Sequence, residues 1–555
     1  MALVKENIRK RARTVALLFI AVIFIGCSRR DPLILPAVRQ ELQTALPFDA
    51  NALVTKPPAD LQQVPIETPN DVVDNARKVV APSPETPTVE LTLADVRKQA
   101  LENNLDLQVQ LYDPAIAQAA YQAESWKFEA VLNASASQQK TFDSFGNPEK
   151  IASLTPTVVV PTQAGGTATL SLPFTRIDDQ GSIFGVPVGV TDEPTIQLGL
   201  TQPLLRGAGF GINYASINVA GLVMRQTDAR TKLAAIQVMA NAEQSYWQHY
   251  AANENLKIQL QEYDYALEQV RTARRLVEEG ARTKIEITRA EGDAARRFDA
   301  ILMAENTRRQ TELALKRIIN SPNLPLQSQT LIIPKTEPSP KGFTFDRAAV
   351  TALALKNRME LFQNEVQMSI DRISLDVSRN RRLPDVTMNF NYSFAGSATT
   401  FQKSLDELFR NRLVDTYNYG LSASIPLWGN QQAKYQVVQS ALNLAKTETN
   451  QRALELSVRQ DVLNAINSVE LNWQRILSNR AAVDRSTETY QDNRIEFQLG
   501  KITSTELSLT LDQLAQAQGA LIVSQSDYQN SLVDLAFATG TVLGQAGVIW
   551  SPRTQ

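Results

Sequence analysis

The stretch Tyr417-Asn-Tyr-Gly-Leu-Ser-Ala-Ser-Ile425, followed at once by Pro426-Leu-Trp-Gly429, alternates apolar residues with small or polar ones. In an extended chain this period of two places the apolar residues on one face and the polar residues on the other. Pro426 has no amide hydrogen to donate to a sheet, so the predicted strand ends there. A helical pattern then runs from about Gln431 to about Phe497.

The chain repeats this plan. Residues 196–202 also alternate, Pro203 ends them, and a second long helical pattern follows. Residues 100–107 match residues 354–361. Each long helix reaches a glycine, Gly280 or Gly500, followed by Thr at plus three and Glu at plus six. Glycine suits a helix end, and Thr with Glu three later is a capping box, so each repeat is predicted to end in a helical hairpin.

Two further alternating segments, residues 132–136 and 386–394, bring the predicted strands to four per chain. Residues 143–193 and 396–415 are predicted to be loops between strands, the first with a structure that the sequence does not define. Four strands are too few to close a membrane barrel, and open edges are untenable in lipid. Either the strands meet those of other subunits, with aromatic residues facing lipid, or the alternation belongs to a soluble sheet.

The helices carry apolar residues at a mean spacing of 3.5, which indicates left-handed coiled-coil packing. The stripes are Leu256, Leu260, Tyr263, Leu267 and Val270; Val462, Ile466, Val469, Trp473 and Ile476; and Leu507, Leu514, Leu521, Tyr528 and Leu535. At 1.5 Å per residue, a helix of about 65 to 70 residues is roughly 100 Å long. The predicted fold is therefore mainly α, with coiled-coil hairpins and four strands arranged in two repeats.

Composition argues against an enzyme. The 555 residues carry a net charge of -2 and contain one cysteine and one histidine, which excludes an internal disulfide framework and any cysteine-cluster metal site. His249 is predicted to be a packing or helix-surface residue. The run from Gly207 to Gly211 lacks the lysine of a phosphate-binding loop and is predicted to be a bend from strand to helix. We expect no catalytic residue, cofactor, metal or nucleic acid.

The N-terminus resembles an export signal. A basic segment precedes an uncharged apolar run at residues 15–25, which ends in Phe24-Ile-Gly-Cys27-Ser28. This resembles a bacterial lipoprotein cleavage box, in which Cys27 would carry lipid such as palmitate; Arg29 after the box fits sorting to an outer membrane. An ordinary signal peptide with an incidental cysteine is the alternative. The proline-rich residues that follow indicate an extended spacer.

The predicted domains follow from these features. They are a lipoprotein signal peptide (1–26), a proline-rich linker (27–88), a first repeat (89–320), an inter-repeat linker (321–342), a second repeat (343–540) and a C-terminal tail (541–555).

The ordered set of paired strand-proline-helix units, an aromatic pair on the long helix, the glycine hairpins and the lipobox resembles the TolC family of outer-membrane efflux proteins. The resemblance covers the chain from Val89 to about Gly540. It implies a homotrimer, a shared twelve-stranded barrel and a helical tunnel that extends into the periplasm of a Gram-negative-type bacterium. It also implies a periplasmic adaptor protein and an inner-membrane pump as partners.

The resemblance also implies a periplasmic gate at the hairpin tips. The matching positions are Glu506, Leu509 in place of a second acidic residue, Glu286 in the first repeat, and Phe497 in place of a tyrosine. Ile502 stands where a basic residue is expected. A ring of Glu506 side chains would select cations, although a solvated capping-box glutamate explains that residue equally well. The expected adaptor contacts are Gly280, Thr283, Gly500 and Thr503.

The predicted function is that of an outer-membrane channel of a tripartite efflux or type I secretion system. The cargo, whether drug, metal, polypeptide or polysaccharide, is left open. The alternative is a structural coiled-coil lipoprotein without a pore, which explains the helices and the anchor but not the four symmetrically placed strands.

Overall fold

The computed structural model describes residues 87–142, 146–183, 186–410, 415–545 and 547–548. All of them belong to one compact unit, Glu67–Gln555; the other unit, Met1–Ile66, lies outside the described residues. The predictions of a signal peptide, a lipid anchor at Cys27 and a spacer fall outside them as well.

The helices and strands alternate along the chain in blocks. The helices are α1 (Leu93–Asn103), α2 (Leu105–Gln110), α3 (Asp113–Ser125), α4 (Phe210–Asn213), α5 (Ala215–Glu278), α6 (Ile285–Ile319), α7 (Arg347–Asn357), α8 (Met359–Arg381), α9 (Phe401–Arg410), α10 (Gln431–Gln498), α11 (Ser504–Ala538) and α12 (Val542–Gln545). The strands are β1 (Thr88–Leu91), β2 (Val131–Phe142), β3 (Pro148–Pro161), β4 (Thr167–Ser171), β5 (Phe174–Ile183), β6 (Val186–Pro203), β7 (Leu331–Pro334), β8 (Asp385–Ala395) and β9 (Asp415–Ser424).

Two helices dominate the fold. Helix α5 has 64 residues and α10 has 68, so each is about 100 Å long at 1.5 Å per residue. Helix α5 packs on α6 to form the first hairpin, and α10 packs on α11 to form the second. The prediction of a helix from Gln431 to Phe497 is confirmed. Within the described part of the chain, no helix is both long enough and apolar enough to cross a membrane.

The apolar stripes form the cores between these helices. Val462, Ile466 and Val469 of α10 are buried against α11, where Tyr528 is fully buried. A second core, nearer the hairpin ends, joins α5 and α6 to α10 and α11 and includes Phe497. Leu260 of the first predicted stripe is exposed (38%), so the 3.5-residue spacing predicted the packing correctly for the other stripe residues and was wrong at this one.

The short helices at the start of each repeat are capped differently. In the first repeat Thr92 accepts a hydrogen bond from the Asp95 amide and forms a capping box with Asp95. In the second repeat the cap is Asp346, whose carboxylate accepts from the amides of Ala348 and Ala349. The predicted inter-repeat linker contains β7, which pairs in parallel with β1.

The larger sheet has seven antiparallel strands in the order β2-β3-β4-β6-β8-β9, with β5 between β3 and β6. Four of them, β2, β6, β8 and β9, are the predicted strands. The prediction of four strands per chain was too low, because β3, β4 and β5 occupy the predicted loop at residues 143–193. Helix α9 likewise occupies part of the predicted loop at residues 396–415. Threonine, serine and alanine make up much of β3 and β4, and these give little contrast between two faces.

Candidate functional site at the hairpin tips

Both hairpins turn at a glycine in the left-handed conformation. Gly280 and Gly500 each have a φ of 73°. In the first hairpin the Ala281 amide donates to the Leu276 carbonyl (2.8 Å), and in the second the Lys501 amide donates to the Glu496 carbonyl (2.9 Å). These bonds close the Schellman motif that ends a helix, and glycine adopts its left-handed residue without strain.

The second hairpin restarts as the sequence predicts. Thr503 caps α11, and the Glu506 carboxylate accepts from the Thr503 amide (2.7 Å) and hydroxyl (3.0 Å). These hydrogen bonds from Thr503 hold the pKa of Glu506 below its usual value. Glu506 is exposed, as is Leu509 one turn further along.

The first hairpin differs, and the predicted capping box of Thr283 and Glu286 was wrong. Helix α6 begins after Lys284 without a side-chain cap, and Thr283 is exposed. The Glu286 carboxylate instead accepts from the Ser504 amide (3.0 Å) and hydroxyl (2.6 Å) at the start of α11. The amides of a helix N-terminus favour a carboxylate from any source, and here it comes from the other hairpin.

Arg282 makes a second connection between the hairpins. Its Nη2 donates to the carbonyls of Gly500 (2.7 Å) and Ile502 (2.6 Å). Sequence reasoning missed this residue because it sought a basic side chain two residues after the second glycine, at Ile502. The basic residue lies two after the first glycine. We call the bonds from Arg282 and Glu286 to Gly500, Ile502 and Ser504 the tip contact.

The tip contact depends on the charge of Glu286. This side chain is 6% exposed and also pairs with Arg289 (3.1 Å). Burial raises the pKa of Glu286, but the hydrogen bonds from Ser504 and the charges of Arg289 and Arg282 outweigh that effect, and the pKa lies below 4.5. The carboxylate is therefore ionised at neutral pH.

The other predicted tip residues fall into two groups. Gly280 and Thr283 are exposed, and Gly500 and Thr503 are partly exposed, so the predicted adaptor contacts lie at one end of the hairpins. Phe497, predicted as a gate residue, is 2% exposed and packs in the core between the hairpins. In the single chain it stabilises the hairpins by packing.

A buried charge cluster lies further from the tips. Arg297 of α6 pairs with Glu262 of α5 (3.1 Å), Asp293 (3.2 Å) and Asp512 of α11 (2.8 Å). These residues line a cleft of about 940 Å³. Burial raises the pKa of Glu262 to about 7, although Arg297 opposes the shift. The cluster joins α5, α6 and α11 through one arginine.

His249 is a packing residue, as one of the two predicted alternatives has it. It is fully buried, with Nε2 3.0 Å from the Ile332 carbonyl and Nδ1 3.1 Å from the Thr311 hydroxyl. Burial lowers the pKa of its imidazole. In the described part of the chain no group of acidic, histidine or cysteine side chains could hold a metal.

Comparison with known proteins agrees with this architecture. Residues 350–541 match the family model of the outer membrane efflux protein. No curated protein sequence matches the chain.

Several solved channels share the fold. The CmeC outer membrane channel of Campylobacter jejuni aligns with 16% identity and a TM-score of 0.61, covering 81% of this chain and 85% of CmeC. VceC of Vibrio cholerae aligns with 15% identity and a TM-score of 0.60, covering 81% and 96%. MtrE of Neisseria gonorrhoeae aligns with 17% identity and a TM-score of 0.57, covering 81% and 89%.

Paired helical hairpins joined to an antiparallel sheet are the fold that this chain shares with these outer membrane channels. Residues 350–541 carry the sequence pattern of the outer membrane efflux protein family, and the chain shares the fold of the CmeC channel over 81% of its length. The predicted resemblance and fold class are therefore confirmed. The family that residues 350–541 match is one of efflux channels and not of enzymes.

Proposed function

We propose that the chain assembles as a homotrimer and conducts cargo from a periplasmic adaptor and an inner-membrane pump to the cell exterior. The observation that carries this proposal is that β2 and β9 each leave one sheet edge unpaired among the residues that the structure describes. A sheet in lipid must have every backbone group satisfied, so these edges need strands from other copies. Cyclic symmetry supplies them, since β2 of one copy can pair with β9 of the next around a closed ring.

The two faces of β8 and β9 support placement in a membrane. Tyr417 and Tyr419 of β9 are 66% and 76% exposed on one face, while Asn418 and Gly420 point to the other. Aromatic side chains facing outward suit the lipid interface, and amides facing inward suit a watery lumen. A structural coiled-coil lipoprotein without a pore has no use for such a sheet.

The hairpin tips are proposed as the adaptor contact and the gate. Gly280 and Thr283 of the first hairpin lie beside Gly500 and Thr503 of the second, because the tip contact joins the two turns. In this proposal the tip contact stabilises the closed state. Glu506 and Leu509 are exposed near the tip and would face their symmetry mates in a trimer.

The native mass of protein extracted from an outer-membrane fraction tests the assembly. A trimer is expected, and mass analysis of its N-terminal peptide should find acyl chains on Cys27. A monomer would overturn the proposal, because the sheet edges of one chain cannot both be satisfied in lipid. An unmodified Cys27 in a trimer would remove the lipid anchor and leave the channel.

Crosslinking in cells tests the docking site. A photoreactive residue in place of Thr283 should form an adduct with a periplasmic adaptor. The control is Lys257, an exposed side chain on α5 away from the tip, which should form none. Equal yields at the two positions would contradict docking at the tips.

A further inference from the structure

Strands β3, β4 and β5, which we call the added strands, widen the sheet by two strand positions. Strand β4 pairs with the last residues of β3 and of β6, while β5 pairs with earlier residues of both. The register of β4 and β5 against β3 is continuous, with Leu154 opposite Phe174 and Thr157 opposite Ser171. Strands β4 and β5 are therefore one strand interrupted at Leu172 and Pro173. The sheet is six strands wide: β2, β3, the β4–β5 strand, β6, β8 and β9.

One face of this sheet is apolar across its full width. Register partners in successive strands form a row whose six members are all apolar or aromatic: Leu132, Val158, Leu170, Leu198, Tyr392 and Tyr417. A neighbouring row on the same face reads Val160, Ala168, Leu200, Phe390 and Tyr419. The added strands continue the apolar band of the predicted membrane strands without a break.

The opposite face carries a row that is polar across the same width: Asn133, Thr157, Ser171, Gln197, Ser393 and Thr416. The hydroxyls of Thr157 and Ser171 lie 2.9 Å apart, so this row has cross-strand hydrogen bonding within the added strands. The next row on this face begins with Val131 and Val159 and is small or polar from Thr169 to Asn418. Extracellular loops have no reason to keep such alternation, whereas a wall between lipid and water requires it.

The apolar band has the height of a membrane strand on β8, where it covers residues 386–394. Nine residues extend about 30 Å along a strand, or about 23 Å along the membrane normal at a tilt of about 40°. On β3 the band covers residues 154–160, which is about 18 Å along the membrane normal at the same tilt. It ends there because the next residue on that face, Ala152, lies opposite Arg176, and Arg176 pairs with Asp192 (3.4 Å). The added strands therefore cover most of the band and end where the charges begin.

The turn that joins β3 to β4 is hydrogen-bonded to the chain segment that follows β6. The turn at residues 162–166 contacts the bend after β6: the Gly209 amide donates to the Ala164 carbonyl (3.1 Å), and Gln202 Nε2 donates to the same oxygen (3.3 Å). Gly165 has a φ of +94°, and a Cβ there would lie 2.2 Å from the Gly207 carbonyl oxygen. The turn therefore packs directly against the glycine-rich bend at residues 207–211, and Gly165 has no room for a side chain.

We propose that the added strands are part of the membrane wall, so that each copy contributes six strands and three copies close a barrel of eighteen. This rests on the proposed trimer and replaces the twelve strands that the family resemblance implies. Barrel diameter grows roughly linearly with strand number, so the mouth is about one and a half times as wide as a twelve-stranded one. Barrels of about 16–18 strands leave an aqueous channel, which here is lined by hydroxyl and amide groups.

Lipid exposure of β4 tests the wall. Ala168→Cys and Leu170→Cys, labelled with a small fluorophore, should be quenched by nitroxides on lipid chains, while Thr169→Cys and Ser171→Cys should not. Tyr419→Cys is the positive control, Lys150→Cys is the negative control, and unsubstituted protein gives the background from Cys27, the single cysteine. Absence of quenching at both Ala168 and Leu170 overturns the proposal, because the hairpin then lies outside the bilayer.

A disulfide scan tests the strand order independently. Ser171→Cys with Gln197→Cys joins register partners on β4 and β6 and should crosslink within a chain. Asn133→Cys with Gln197→Cys is the matched control, with two strands between the positions, and should not. Crosslinking of the control pair, with none in the first, would mean that β2 adjoins β6 and that the wall has twelve strands.

The native mass of each variant separates this proposal from the proposed function. A trimer without quenching at Ala168 and Leu170 leaves the efflux channel intact and overturns the six-strand wall alone. A monomer overturns the trimer, and the barrel of eighteen with it.

Discussion

Replacing Glu286 by glutamine should loosen the tip contact. The carboxylate accepts two hydrogen bonds from Ser504, which is 1% exposed, and sits at the N-terminus of α11. A hydrogen bond to a charged group contributes about 1.5–3 kcal/mol, and glutamine keeps one neutral oxygen to accept. A loss of about 1.5–3 kcal/mol per chain shifts a closed-to-open equilibrium by about 10- to 150-fold for each chain.

Single-channel recording in planar bilayers measures this shift. Glu286→Gln should raise the open fraction at neutral pH. Glu291→Gln is the matched control, because Glu291 pairs with Arg274 (2.7 Å) inside the first hairpin and does not reach the second. An unchanged open fraction in Glu286→Gln, or an equal rise in Glu291→Gln, would refute a closing role for the tip contact.

Four further predictions follow from the same structure. The pKa of the Glu286 carboxyl is lowered in the folded chain, so the stability that it contributes to the tip contact is complete above pH 4.5 and is lost as the pH falls through the folded-state pKa. The open fraction of the unsubstituted channel should therefore rise below pH 4.5, and Glu286→Gln should remove this pH dependence. The pKa of Glu262 is raised to about 7, so ionisation of this carboxyl lowers the stability of the fold above that pH and has no effect below pH 4.5. Glu262→Gln should therefore raise the free energy of unfolding at pH 8 by up to about 3 kcal/mol, measured as a higher melting temperature, and should not raise it at pH 4.5. Gly165→Ala should lower trimer yield, whereas Gly146→Ala, also at positive φ but in open space, should have little effect in the same detergent extracts. Glu506→Gln should reduce the preference for cations in reversal-potential measurements, and unchanged permeability ratios would contradict the acidic ring.

The helical half of the fold could be predicted because its signal is local. Heptad stripes such as Val462, Ile466 and Val469 run for many turns, and a glycine at the helix end marks each hairpin. The added strands gave no such signal. Val158, Val159 and Val160 are consecutive and conceal the alternation, and the faces of β4 differ only between alanine or leucine and threonine or serine.

The tip contact could not be predicted for a different reason. Glu286 and Ser504 are 218 residues apart in sequence, and the local pattern around Glu286 satisfies a capping box that the structure does not form. Two helix N-termini, those of α6 and α11, were available to the Glu286 carboxylate, and the packing of the hairpins places it at α11. The one signal in the sequence was Arg282, a basic residue that lies two positions after Gly280, whereas the resemblance places it two positions after Gly500.

The acceptors of Arg282 are main-chain oxygens of Gly500 and Ile502, which every amino acid provides. Side chains of the second turn can therefore drift during evolution without removing that bond, as long as the left-handed glycine keeps the turn in shape. A lineage could remodel this surface to suit a new adaptor while keeping its closed state. Recognition and closure would then evolve separately, with the constraint concentrated on Arg282, Glu286 and Ser504.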